Sequence, residues 1–174
     1  MTILLPGTGG ASDKASVQLA TKKGNWIRNA RRQERPPVAL RAAEKKWRTR
    51  FPGLSTRSLS ATYNCYGMVF ANRRTMILFE EDVQVILDDD GYRKLPDRSA
   101  AIVGDVIVYR KAPKRVIEHA GLIIDIRKIH KDSGTEIIVL SQWGGEGEYL
   151  HREDHVPEEI FGQHREYYSE RIIL

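Results

Sequence analysis

The sequence lacks several features that would place it outside the ordinary globular class. It has one cysteine in 174 residues, which cannot form an internal disulfide, so nothing indicates an oxidising compartment. No apolar run approaches the roughly 20 residues of a membrane-spanning helix. The first residues, M-T-I-L-L-P-G, lack the basic start and unbroken apolar stretch of a secretory signal. These absences predict a cytoplasmic protein without a membrane span.

Signatures of metal and nucleotide binding are also missing. Neither the P-loop pattern nor G-x-G-x-x-G occurs, so nucleotide chemistry has no support. His151 and His155 are four residues apart, but there is no second cysteine, and Pro157 indicates a loop. We therefore expect no cofactor and no metal site.

The charge is distributed unevenly along the chain. Residues 1–58 hold 13 Lys and Arg against 3 Asp and Glu, a net charge of +10, whereas residues 59–174 hold 15 against 20, a net charge of −5. A basic segment can meet an anionic surface, nucleic acid or the rest of the chain. No nucleic-acid-binding motif accompanies it, so a solvated helical face is favoured over nucleic-acid binding.

Residues 1–58 are predicted to be a basic, partly helical extension. Residues 16–35 can form one basic helix, because Pro36-Pro37 would end it. From Val38 to Phe51 apolar residues recur at spacings of three and four, which predicts a second helix packed on the main domain.

Residues 59–174 are predicted to be the catalytic domain, with helices first and strands later. One helix begins at Cys65 and another covers Glu80–Asp89, with Gly91 suited to end it. The strands predicted from β-branched and alternating residues are Ile102–Tyr109, Ala120–Ile126, Glu136–Leu140 and a last one within Gln163–Leu174, with a turn at Lys131–Gly134. Helices followed by an antiparallel meander indicate an α+β fold.

The cysteine stands where a helix begins. Asn64 favours the N-cap position, so Cys65 would lie at the positive end of the helix dipole, which favours the nucleophilic thiolate. A lone cysteine is more often a small buried hydrophobe. Catalysis therefore requires a base and an orienting group from elsewhere in the chain.

Those groups are predicted on two later strands. His119 opens a strand and can accept the thiol proton of Cys65. Ser141 or Gln142, on opposite faces of the next strand, can fix the imidazole, and Trp143 can shield that contact or belong to the core. The backbone N–H of Cys65 is one oxyanion donor. A second donor can come from Tyr63 or Asn64.

These motifs, taken in order, resemble the papain-like cysteine hydrolase superfamily, most closely its NlpC-like and CHAP amidase branch. A group of small bacterial proteins within that branch is similar over roughly residues 59–172. The matching segments are Asn64–Gly67, Gly104–Arg110, the H-A-G-L-I run from His119, Ser141–Gly144, His151 and Phe161-Gly162 with Tyr167-Tyr168.

The resemblance implies a papain-like α+β fold, in which a helix packs on an antiparallel sheet or half-barrel. It implies Cys65 as nucleophile, His119 as base and Ser141 at the position where papain has the asparagine that orients the histidine. The expected activity is hydrolysis or transfer of an amide through a thioester. The substrate would be a peptide, an isopeptide or a glutamine side chain. Peptidoglycan is the usual target of the superfamily, but reaching it would require delivery as an effector or by phage lysis.

Two alternatives come from other classes. One is a catalytically silent papain-like module that binds a protein or anionic partner through the basic N-terminal helices. The other is a lipid acyltransferase of the lecithin–retinol type, in which the histidine precedes the cysteine. All histidines here follow Cys65, so this alternative is set aside. The sequence predicts no oligomeric state.

Overall fold

The computed structural model describes residues 16–129 and 134–171. Within them are four α-helices, α1 (Pro37–Arg50), α2 (Cys65–Phe70), α3 (Glu80–Asp89) and α4 (Glu158–Phe161), and a short 3-10 helix (Arg98–Ala100). The strands are β1 (Asn29–Ala30), β2 (Ser55–Ser58), β3 (Met76–Ile77), β4 (Arg93–Lys94), β5 (Val106–Lys111), β6 (Val116–Lys128), β7 (Thr135–Gln142), β8 (Glu148–Arg152) and β9 (His164–Ser169).

Seven of these strands form one antiparallel sheet in the order β2-β8-β7-β6-β5-β9-β4. The 13-residue β6 lies at its centre and pairs with β5 on one side and β7 on the other. A separate two-stranded sheet joins β1 to β3. The central position of β6 fixes the location of His119.

The predicted fold class is wrong. We predicted an α+β, papain-like arrangement of a helix packed on an antiparallel sheet or half-barrel, with a basic helical N-terminal extension. The molecule is instead β-rich, with seven-stranded and two-stranded sheets and only a few short helices. The difference comes from short strands that carry little local signal. The polar β2 and the two-residue β4 form because they pair with longer strands, β8 and β9. The two-residue β1 and β3 form by pairing with each other.

The helix predicted over residues 16–35 does not form. Ala20 and Trp26 make an isolated antiparallel bridge around a turn in which Gly24 has a φ of 87°, and β1 follows. Leu19 and Ile27 are buried in the core. Pairing and burial of alternate residues outweigh the helical tendency of this basic segment.

The other predicted elements are present, with shifted ends. Helix α1 buries Leu40, Ala43 and Trp47 along one face, and α3 covers the residues predicted for it. All four predicted strands form, although β5 begins at Val106 because the chain still turns at Gly104, where φ is 97°. The predicted turn at Lys131–Gly134 lies outside the described residues except for Gly134.

Alternating residues divide the core between the two faces of the sheet. On one face, Val106, Val108 and Ala120 pack with α2 and α3. On the other face, Ile107 and Tyr109 pack with residues of α1 and with Trp143. Both clusters contain residues from the predicted N-terminal extension, 1–58, together with residues from 59–174. In the part of the chain that is described, no helix is long and apolar enough to cross a membrane.

Candidate active site

The predicted N-cap of the cysteine helix is confirmed. Asn64 Oδ1 accepts the N–H of Gly67 at 2.9 Å, which is the N-cap bond, and also the N–H of Ile77 at 3.2 Å. Asn64 Nδ2 donates to the carbonyl of Ile77 at 2.7 Å. The side-chain amide therefore joins α2 to β3, and it is not free to act as an oxyanion donor.

The Cys65 thiol lies against the backbone of β6. It is only 6% exposed, and burial raises its pKa to about 12. The backbone N–H groups of Ala120, Tyr66 and Cys65 itself lie near the sulphur and lower its pKa, which offsets part of the effect of burial. In the closed structure the thiol is therefore neutral, although donors that would stabilise a thiolate already surround it.

Through this contact the thiol lies close to the His119 backbone. The amide nitrogen of Ala120 is bonded to the carbonyl carbon of His119, so a sulphur beside the Ala120 N–H is also near the His119 backbone. Strand alternation turns the imidazole toward the other face of the sheet, where its ring stacks on Phe161 at 3.7 Å between centroids and also contacts Tyr109. The structure gives no direct hydrogen bond between the imidazole and the thiol among the described contacts.

The His119 ring is buried and incompletely satisfied. It is 1% exposed, and its Nε2 has no hydrogen-bond partner among the described residues. Burial, and then the nearby His151, hold the pKa of His119 well below its usual range. The imidazole is thus neutral and retains a nitrogen that can accept a proton.

Ser141 lies on the same face of the sheet, in a buried hydrogen-bonded group. Its Oγ is 2.7 Å from His151 Nε2, and His151 Nδ1 is 2.7 Å from the carbonyl oxygen of Arg152. Because a carbonyl only accepts, Nδ1 carries the proton, and the Ser141 hydroxyl donates to Nε2. Trp143 Nε1 donates to Ser141 Oγ at 3.0 Å. Ser141 thus contacts His151 and Trp143 rather than His119.

The remaining predicted residues lie apart from His119. Gln142 points to the opposite face, where its Nε2 donates to the carbonyls of Ser60 and Gly144 at 2.7 and 3.0 Å. The Tyr63 hydroxyl donates to Glu148 at 2.8 Å. Neither side chain reaches the imidazole. Tyr63 is not directed toward the thiol as an oxyanion donor.

Two residues near His119 received no role from the sequence. His151 matched a motif of the resemblance, and its ring packs against Trp143, which also contacts the Phe161 ring that stacks on His119. Phe161 covers the imidazole face with rings only 4° from parallel. Phe161 also belonged to a matched motif, which was the one available signal, but nothing in the sequence indicated that it would stack on His119.

No metal centre is apparent in the described ranges, 16–129 and 134–171, since they contain no cluster of three or more His, Cys, Asp or Glu suited to hold an ion. Comparison with known proteins adds no assignment. No family model matches the chain, and neither a curated protein nor a solved structure is significantly similar to it. Membership of the papain-like superfamily therefore stays a prediction.

Proposed function

We propose that the protein is a cysteine hydrolase or acyl-transfer enzyme that acts on an amide, with Cys65 as nucleophile and His119 as base. The observation that carries this proposal is that Cys65 packs in one buried cluster with Ala120, because Ala120 directly follows His119 in β6. A thiol at a helix start, backbone donors around it and a neutral imidazole on the neighbouring residue of β6, His119, are the components that thiol-based acyl transfer needs.

The neutral resting state suggests general-base catalysis rather than a preformed ion pair. In the resting structure the His119 ring lies on the other face of β6 from the thiol, so β6 must first rearrange around His119 to bring the ring to Cys65. The sulphur then attacks the amide carbon while His119 takes the thiol proton, and the carbonyl oxygen becomes an oxyanion near the N–H groups of Cys65 and Tyr66. The imidazolium then gives its proton to the leaving amine, which leaves a thioester on Cys65. Water or an acceptor amine attacks the thioester, releases the acid or new amide, and restores the thiol.

Access to the pair requires the structure to open, because Cys65 and His119 are both buried. A peptide, an isopeptide or a glutamine side chain would satisfy the chemistry. A cytoplasmic substrate agrees with the sequence-based location. Peptidoglycan would require delivery of the protein to the cell wall.

The test is the rate of iodoacetamide labelling of Cys65 against pH, in the wild type and His119→Ala, with His164→Ala as a control at an exposed histidine. We expect the wild type and the control to label at least tenfold faster than His119→Ala at pH 7, because the imidazole removes the thiol proton. Labelling that rises only with hydroxide concentration and is unaffected by His119→Ala would contradict the proposal.

That negative result would favour a second function, a binding domain for an anionic partner. The supporting observation is a row of exposed cations, Arg41, Lys45 and Arg48, on the side of α1 opposite its buried residues. Together with Glu44 and Thr49 they line a shallow groove of about 370 Å³. A helix anchored to the core on one side and cationic on the other suits an acidic surface.

A further inference from the structure

A second charged cavity lies at the opposite end of the sheet from β2, beside the start of β9. Its volume is about 350 Å³, which is within the range of small-molecule sites. Three segments enclose it: residues 94–98, from the last residue of β4 onward, Arg115 in the turn between β5 and β6, and residues 164–167 of β9.

The cavity exists because β4 stops pairing with β9 early. The N–H of Leu95 donates to the carbonyl of Tyr167 at 2.8 Å, but the next residue, Pro96, has no N–H with which to continue the ladder. In a strand, backbone groups two residues apart point to the same side. The N–H and C=O of Arg165 therefore point, like those of Tyr167, away from β5 and toward this opening.

Positive charge predominates around the cavity. Its permanently charged side chains are four cations and two carboxylates: Lys94, Arg98, Arg115, Arg165, Asp97 and Glu166. Both carboxylates are already engaged. Asp97 accepts from the N–H and hydroxyl of Ser99 at 2.7 and 2.6 Å, and Glu166 accepts from Lys94 and Arg110 at 2.6 and 2.7 Å.

The side chains that can donate to a ligand differ in whether they already have a polar partner. Arg98 pairs with Glu153, and Arg165 pairs with Glu158 at 3.1 Å. Arg115 and His164 are exposed, and neither the guanidinium nor the imidazole has a polar partner within the described residues. Two side-chain donors in the lining of the cavity, Arg115 and His164, therefore remain available for a ligand.

We propose that this cavity binds a phosphate-bearing small molecule, with Arg115, His164 and the backbone N–H of Arg165 as its donors. The planar guanidinium fork matches two phosphate oxygens, and the imidazole and backbone N–H supply further donors. The cavity is larger than one phosphate group, so the ligand carries an additional polar part. This site is independent of Cys65 and of the amide chemistry proposed above.

Calorimetric titration of the full chain with pyrophosphate at low salt tests the assignment. We expect saturable binding with one site per chain, weakened at least tenfold in Arg115→Ala and in His164→Gln. Arg127→Ala is the matched control, because it removes the same charge from an exposed site on β6 outside the cavity lining. Thermal melting of each variant establishes that it is folded.

Other outcomes of the same titrations would identify a different source of the binding. Equal losses in Arg127→Ala and Arg115→Ala would show attraction to the net charge and overturn the site. Loss in Arg41→Ala but not in Arg115→Ala would assign the anion to α1 and would also overturn it. Citrate binding as tightly as pyrophosphate would overturn the phosphate assignment, and so would the absence of binding by pyrophosphate.

Discussion

At the scale of single residues, Gly67 determines how closely the cysteine helix approaches its neighbour. A Cβ added there would lie 1.8 Å from the carbonyl oxygen of Thr75, a backbone atom that cannot rotate away. We expect Gly67→Ala to lower the free energy of unfolding by about 3 kcal/mol, because the backbone must shift to relieve the overlap. Urea denaturation measures this loss.

Gly145→Ala is the matched control for this substitution. Its added Cβ would meet the terminal nitrogen of Arg32 at 2.9 Å, the far end of a flexible side chain that can move aside. We expect a loss below about 1 kcal/mol. Equal losses at the two glycines would mean that the contact between α2 and the Thr75 backbone is not what restricts position 67.

At the scale of elements, the short helix α4 closes the site over His119. Phe161, its last residue, stacks on the imidazole, and the helix is attached at its surface by the pair between Arg50 and Glu159 and by Lys111, which donates to the Glu159 carbonyl at 2.8 Å. Exposing the His119 ring thus requires α4 to move or Phe161 to rotate.

Replacing the stacked ring should expose the imidazole. In Phe161→Ala we expect diethylpyrocarbonate to modify His119 several-fold faster than in the wild type, as measured by mass spectrometry of peptides. Val156→Ala truncates another buried residue of the same cluster without a ring contact to His119. An equal gain of reactivity in Val156→Ala would attribute the effect to a looser core, and no gain in Phe161→Ala would show that Phe161 does not limit access.

The helices and strands differ in how far the sequence could predict them. Helix α1 was predictable because Leu40, Ala43 and Trp47 follow the helical repeat, and the start of α2 because Asn64 is a strong cap. Strand β2 was not predictable, since Ser55–Ser58 is polar and forms a strand only by pairing with β8. Its pairing depends on residues almost a hundred positions away.

The candidate site was predictable in its parts and less so in its contacts. Local patterns predicted the cap at Asn64 and the strand that holds His119. They did not predict that Ser141 would bond to His151, because that contact depends on the register between β7 and β8. Burial of the Cys65 thiol, which controls its pKa, likewise comes from the tertiary packing of α2 against β6.

At the scale of the whole molecule, two buried neutral histidines make stability depend on pH. Burial lowers the pKa of His151 from 6.5 to about 4 and holds that of His119 well below 6.5. The unfolded chain therefore binds more protons than the native state below pH 6.5, so stability falls as pH falls. For His151 the pKa difference corresponds to a loss of about 2 kcal/mol between pH 7 and pH 5.

Urea unfolding at several pH values tests this dependence. His119→Phe and His151→Asn should each flatten the slope of unfolding free energy between pH 7 and pH 5, even where they lower stability at pH 7. His164→Gln, at an exposed position, should keep the slope of the wild type. The Glu166 carboxyl, whose pKa is lowered from 4.5 to about 2, stabilises the fold above pH 4.5, and this stabilisation is lost only as pH falls below that value. A wild-type slope retained in both core variants would contradict the role of the histidines.

The two edges of the large sheet restrict how molecules of this protein can associate. Strand β2 has an irregular register between Thr56 and Ser58 and exposes Arg57, while β4 has two charged residues and is followed by Pro96. Short, charged and interrupted edges are poor templates for a strand from another molecule. Continuous intermolecular β-sheets are therefore disfavoured, and a contact between two copies would have to use side-chain surfaces instead of extending the hydrogen-bonded ladder.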